Sequence, residues 1–236
     1  MAALQQSSNT TITMLKKETI NFLNLVTANN NREWFAENKH LYEEAKADLF
    51  PFIAKLIKEL SAIDPQYSSA TEPKKALMRI YRDVRFSKNK DPYKKNYGIA
   101  FDVKGYGPNT PSYYLHIQPG NCFFGVGFWQ PEAAVLKKIR EEIDYSAEEF
   151  LAIVNDTKFK QIYKLSDEDK LKKAPKGYEI DHPQIEFLKL KSFIATFPIA
   201  DSEFLKPTIV DKLITAFITI QPFVLFLRKA TDTNVD

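Results

Sequence analysis

The spacing of apolar residues changes twice along this chain, and that alone limits it to an α+β arrangement. From Leu15 onward, Ile20, Leu23 and Val26 recur at helical spacing until Asn29-Asn30-Asn31 interrupts them. Asn is a good helix N-cap, so Glu33, Trp34 and Phe35 open a second helix that runs through Tyr42 and Ala45. Pro51 fits a first helical turn and is read as the start of a third helix, with Phe52, Leu56 and Leu60 as its buried stripe and Asp64-Pro65 as its end. The period then falls to two. Residues 97–103, 112–118 and 122–129 are rich in aromatic and β-branched side chains and are bounded by Gly, Pro and Asn. Pro119-Gly120-Asn121 reads as a hairpin turn between the last two. Along the middle strand, Tyr114, His116 and Gln118 share one face, and Tyr113, Leu115 and Ile117 share the other.

Helical spacing returns at Pro131, a first-turn proline, and at Ser146, where Ser-Ala-Glu-Glu matches a capping box. Residues 171–178 read as a short strand and a turn. Asp181 is placed as a cap for a helix that Pro183 begins and that passes Phe187 and Leu190. Residues 191–197 read as a further strand. A last helix starts at Pro207, buries Leu213, Phe217 and Ile220, and must kink or restart at Pro222. The expectation is a single α+β domain over residues 15–230. A central, mainly antiparallel sheet is flanked by helices, with a helical N-terminal third and a C-terminal helix. Residues 1–14 are expected to be a loose tail.

An apolar content of 44%, with 13% aromatic, is enough to fill one core and excludes disorder over most of the length. Cys122 is alone, which rules out an internal disulfide or a thiol-only metal site and favours a reducing compartment. The first thirteen residues lack the basic start and apolar stretch of a signal peptide. The most apolar late segment, residues 213–227, reads as too short for a bilayer and contains Gln221 and Pro222. A soluble, cytoplasmic protein with no membrane partner is expected.

Charge is uneven. Within residues 74–97, Lys74, Lys75, Arg79, Arg82, Arg85, Lys88, Lys90, Lys94 and Lys95 face only Asp83 and Asp91, a local net of +7 in a chain of net +3. Arg79, Arg82 and Arg85 are spaced by three on what reads as a short strand followed by a long loop, anchored by burial of the Tyr93 and Tyr97 rings. Guanidinium groups offer paired donors to phosphate or carboxylate oxygens, and lysines add point charge. The expected ligand site is Arg79, Arg82, Arg85, Tyr93, Lys94 and Lys95, completed by Tyr114 and His116 from the neighbouring strand. Three readings follow from it: a small anionic or phosphorylated ligand, with enzymatic chemistry left open; nucleic acid on the same segment; or an arginine network that only holds the fold together.

Other chemistry is thin. His40, His116 and His182 are too far apart for a local metal motif, so no metal and no cofactor are expected. Neither a nucleophile elbow nor a Walker A loop occurs, and Gly125-Val126-Gly127 lacks the third glycine of a dinucleotide fingerprint. Glu33, Asp83, Glu179 and Asp181 are the acids nearest the motifs, but sequence pairs none of them, and no catalytic residue is assigned. Cys122 is expected to pack as a small hydrophobe, and Trp34, Phe35 and Trp129 as core.

The string RIYRDVRFSKNKDPYKKN, with NNNREWFAENK before it and YYLHIQPG, PKGY, DHP and LKLKSF after it, resembles the domain-of-unknown-function family 2461. The resemblance runs in order from about Thr19 to Leu227. It departs at Asn89-Lys90-Asp91, where Asp-Lys-Thr is expected. What it implies is a single, soluble, compact domain with no established activity, cofactor or catalytic residue.

Overall fold

The computed structural model describes residues 13–67, 69–101 and 110–231. Three helices lead, α1 (Lys17–Ala28), α2 (Arg32–Glu37) and α3 (Lys39–Ile63), followed by the single turn α4 (Pro73–Ala76). Strands β1 (Tyr97–Phe101), β2 (Ser112–Ile117) and β3 (Cys122–Phe128) follow. Next come α5 (Ala133–Tyr145), α6 (Ala147–Asn155), α7 (Thr157–Ile162), the short β4 (Lys164–Leu165), α8 (Ile185–Leu188) and β5 (Phe193–Ile199). A 3-10 turn (Asp201–Leu205) leads into the last helix, α9 (Ile209–Thr231). The five strands form one antiparallel sheet in the order β1-β2-β3-β5-β4. This is the α+β architecture that the change of period demands.

Register sorts the side chains. Phe101 pairs with Tyr113, Leu115 with Phe124 and Phe124 with Phe197, so these residues share a face. That face is buried, and α9 lies on it: the Phe217 ring meets Phe101, Tyr113 and Phe124 at centroid distances of 6.5, 6.2 and 5.0 Å. The other face carries Gly98, Ala100, Tyr114, His116, Phe123, Gly125 and Thr196, and its larger side chains are only half-buried. An antiparallel sheet can leave one face to solvent, because each of its strands alternates between an inner and an outer row. The functional question concerns that outer face.

Several local expectations are corrected. Pro51 does not start a helix; it sits inside the unbroken α3. A mid-helix proline costs about 3 kcal/mol. The buried stripe that continues on both sides of it, Ala45 and Leu49 before and Phe52, Ile53 and Leu56 after, outweighs this at about 1.5–3 kcal/mol per large side chain. Pro222 likewise lies within α9. Ser146 precedes α6 but makes no cap bond, because its hydroxyl donates to Glu142 Oε1 at 2.8 Å. Residues 171–178 form no strand, and α8 starts after Gln184, with no cap from Asp181. Trp129 is not core; it is 63% exposed. The apolar helix α9 is longer than read, at 23 residues, and with a mean hydropathy of 1.7 over its most apolar 18 residues it meets the length and composition of a membrane span. Half of that 18-residue stretch is buried against the rest of the chain. Two turns hold as read: Asn31 caps α2 by accepting from Trp34 N at 2.8 Å, and the 118–121 turn closes from Asn121 N to Gln118 O with Gly120 at φ 77°.

One buried ion pair ties the layers together. Arg228 on α9 donates from Nη1 to Asp64 Oδ1 at 2.8 Å and from Nη2 to Oδ2, and the Tyr113 hydroxyl donates to the same Oδ2 at 2.8 Å. Burial pushes the Asp64 carboxyl toward its neutral form, but the bonds from Arg228 and Tyr113 outweigh it and hold the group below its ordinary value. Gln221 caps the end of α3 by donating to Ile63 O at 2.8 Å.

Candidate functional site

The basic segment extends the sheet beyond β1. Leu77 bridges Ile99 and Tyr81 bridges Tyr93, both antiparallel, and Met78 N, Arg82 N and Lys94 N donate to Gly98 O, Pro92 O and Ile80 O at 2.7–2.9 Å. Residues 77–82 and 92–99 therefore run side by side, with residues 83–91 as the loop between them. The anchor is aromatic, as the sequence suggested. Tyr93 and Tyr97 are buried, Tyr93 stacks on Phe35 at 4.0 Å, and Tyr97 stacks on Phe22 at 6.5 Å. A second latch went unread. The Asn30 amide donates to Tyr93 O and accepts from Tyr93 N, each at 3.1 Å, pinning the segment to the start of α2.

The three arginines do not converge. Arg82 is half-buried and turned inward, donating to Asp91 O at 2.8 Å and to Ser87 Oγ at 3.3 Å, so it braces the loop. Arg85 is exposed and forked on Asp83, from Nε at 3.0 Å and from Nη2 at 2.7 Å. Arg79 makes neither kind of contact. Lys74 and Lys75 pair with Glu72, and Lys95 pairs with Asp91 at 3.0 Å. Of the nine cations, those three and Arg85 have carboxylate partners. Among the described residues the other five, Arg79, Arg82, Lys88, Lys90 and Lys94, have none within 4.0 Å. Arg79 and Lys94 are close enough to repel. Lys94 is half-buried, and burial first, then the Arg79 charge, lowers its pKa from the ordinary lysine value.

On the outer face of the sheet, Tyr114 and His116 form a hydrogen-bonded row. The Tyr114 hydroxyl donates to His116 Nδ1 at 3.0 Å, and His116 Nε2 donates to Gln118 Oε1 at 3.1 Å. Asn96 Nδ2 approaches His116 Nδ1 at 3.4 Å, and its amide also bonds the Tyr114 hydroxyl. The imidazole is stacked on Phe123 at 4.8 Å, and burial lowers its pKa, favouring the neutral ring with its Nδ1 lone pair directed at the phenol. Burial raises the Tyr114 pKa, partly offset by Asn96.

Gly98, opposite His116 on β1, makes room for the phenol. A Cβ there would lie 2.8 Å from the Tyr114 hydroxyl and 3.0 Å from Met78 Sδ. Met78, the neighbour of Arg79, and Asn96, two residues from Lys94, thus reach the same spot on the sheet. The outer face becomes a shallow cradle of small residues, Gly98, Ala100 and Gly125, bordered by Tyr114, His116 and Phe123, with the Tyr114 hydroxyl and Met78 over Gly98 and the Phe123 ring over Gly125.

The remaining candidates are elsewhere. His40 is exposed on α3. His182 donates from Nε2 to Asp144 at 2.9 Å and accepts from Gln184 N at Nδ1. No group of three or more metal-ligating side chains occurs among the described residues. Cys122 is buried and donates to Gln118 O; burial pushes its thiol pKa up to about 12, the opposite of an activated nucleophile. Asn96, Gly98 and Gln118 were not read as site residues. Gln118 was legible by alternation on the Tyr114–His116 face, whereas the places of Asn96 and Gly98 appear only once β1 is in register with β2.

The family described as "Conserved hypothetical protein (DUF2461)" matches residues 18–226. The chain belongs to that family. No curated protein and no solved structure matches it. The matched span includes the segment built onto β1 and the residues around α8 and the start of β5.

Proposed function

We propose that the protein binds a small anionic ligand, bearing a phosphate or a carboxylate, where Arg79 and Lys94 meet the Tyr114–His116 cradle. One observation carries this reading: the half-buried Lys94 ammonium has no carboxylate within 4.0 Å and lies close enough to the exposed Arg79 guanidinium to be repelled by it. A partly desolvated charge beside a second cation is a standing cost, and a bound anion relieves it. Arg79 supplies a fork of donors and Lys94 a point charge. Asn96 and the Tyr114 hydroxyl add neutral hydrogen bonds. Burial keeps both the Tyr114 phenol and the His116 imidazole neutral, so the row offers the ligand hydrogen bonds rather than a charged acid or base. The test is thermal unfolding against a panel of phosphate esters, nucleotides and carboxylates at low salt. At least one member is expected to raise the midpoint of the wild type and to lose that effect in Arg79→Ala and Lys94→Ala. A panel that leaves the wild-type midpoint unmoved overturns the reading.

A further inference from the structure

The outward side of the basic segment has a different character from the cradle. Phe86 is 95% exposed, the most exposed of the large apolar side chains among the described residues, and Met78 and Tyr81 are 44% and 49% exposed in the same short stretch. The Phe86 position is ordered from within. Arg82 braces Ser87 and Asp91, Lys90 Nζ donates to Val84 O at 3.0 Å, and Asn89 bonds Asp91 in both directions. The Arg85 guanidinium lies over the Phe86 ring at 5.8 Å. A loop held this firmly could have tucked an aromatic ring inward; it presents the ring to solvent beside Lys88 and Lys90, neither of which has a carboxylate partner.

We infer that the Met78–Tyr81–Phe86 strip is a docking surface for single-stranded nucleic acid. Unpaired cations interleaved with exposed ring faces match a strand of alternating phosphates and bases, with phosphates on lysine and arginine and bases stacked on the rings. Arg85 adds a second planar face against Phe86. An anionic lipid surface shares the charge but not the shape of this strip. Tyr81 packs against Phe35 and Tyr93 at 5.9 and 5.4 Å, so its ring is held against the body of the protein and offers a side to stack on rather than a tip to insert. The proposal goes beyond small-anion binding and does not need it.

Fluorescence anisotropy with a labelled oligothymidylate of ~15 nucleotides, a length spanning typical single-strand sites, tests it at low salt. The wild type is expected to bind, with affinity falling steeply as salt rises. Phe86→Ala is expected to weaken binding on the order of tenfold at an unchanged salt slope, and Lys88→Ala with Lys90→Ala to reduce the slope by about 0.7 per lysine. Because Phe86 is solvent-exposed, its substitution leaves the melting temperature and any small-anion shift unchanged. Absence of oligonucleotide binding by the wild type at low salt overturns the proposal, as does binding that is indifferent to Phe86. Phe86-dependent sedimentation with phosphatidylserine vesicles, without oligonucleotide binding, overturns it in favour of a lipid surface.

Discussion

Tyr113 and Tyr114 are consecutive residues of β2, yet their hydroxyls end in opposite surroundings. The Tyr113 hydroxyl donates into a closed ion pair, Asp64 with Arg228, sealed between the sheet and α9. The Tyr114 hydroxyl donates to a neutral imidazole on the half-open face. Strand alternation alone creates this split. On the inner face every charge has its complement, and the network holds the fold together. On the outer face complementarity is left incomplete, which is the condition for binding something else. Within the basic segment Arg82 has a bracing role through Asp91 O and Ser87 Oγ, and between the layers Arg228 has one through Asp64.

The largest effect should come from opening the closed side. Arg228→Met leaves Asp64 buried and uncompensated and is expected to cost about 3–5 kcal/mol, read by denaturant unfolding. Arg79→Ala on the open side should change stability by about 0.5 kcal/mol or less. If the two cost the same, the contrast between the faces fails. Next in size, Tyr113→Phe removes a buried donor to a carboxylate and should cost about 1–3 kcal/mol, with Tyr114→Phe below about 1 kcal/mol. Gly98→Ala should cost about 1–3 kcal/mol by overpacking against the Tyr114 hydroxyl. Part of that cost should disappear in the Tyr114→Phe background, and strict additivity would place the phenol elsewhere.

How much of this was legible in sequence follows the same division. The aromatic anchors and the alternation of β2 were readable because they depend on local period, and Tyr93, Tyr97 and the Tyr114–His116 row are where alternation puts them. Pro51 misled because a local rule was overridden by the buried stripe on either side of it. The Asn30 latch, Asn96 and Gly98 were invisible because each acts on a residue brought near by tertiary register: Asn30 on Tyr93, Asn96 on His116, Gly98 on Tyr114. Which four cations have a carboxylate partner and which five do not depends on side-chain placement that composition does not encode. A local charge of +7 says that a segment is basic, not which of its members are free.

The smallest effects separate the two faces by pH. Asp64 has a folded pKa depressed from 3.8, so its stabilisation is complete above that value and is lost as pH falls through the lower folded value. His116 is also depressed, from 6.5, so the folded state begins to lose stability as pH falls below 6.5, and the loss is complete below the folded pKa. Melting temperature followed from pH 7 downward should therefore fall in two windows. His116→Gln should flatten the upper one and leave the acid limb intact. A profile that His116→Gln does not change would mean that the imidazole is not desolvated on the outer face.

The most direct test of the open face is an NMR titration of the His116 ring nitrogens with inorganic phosphate at low salt, in the wild type and in Arg79→Ala with Lys94→Ala. Saturable shifts at His116 in the wild type, abolished when the two cations are removed, are the predicted result. Shifts that grow linearly without saturation, or that persist unchanged without Arg79 and Lys94, would contradict an anion site at the cradle.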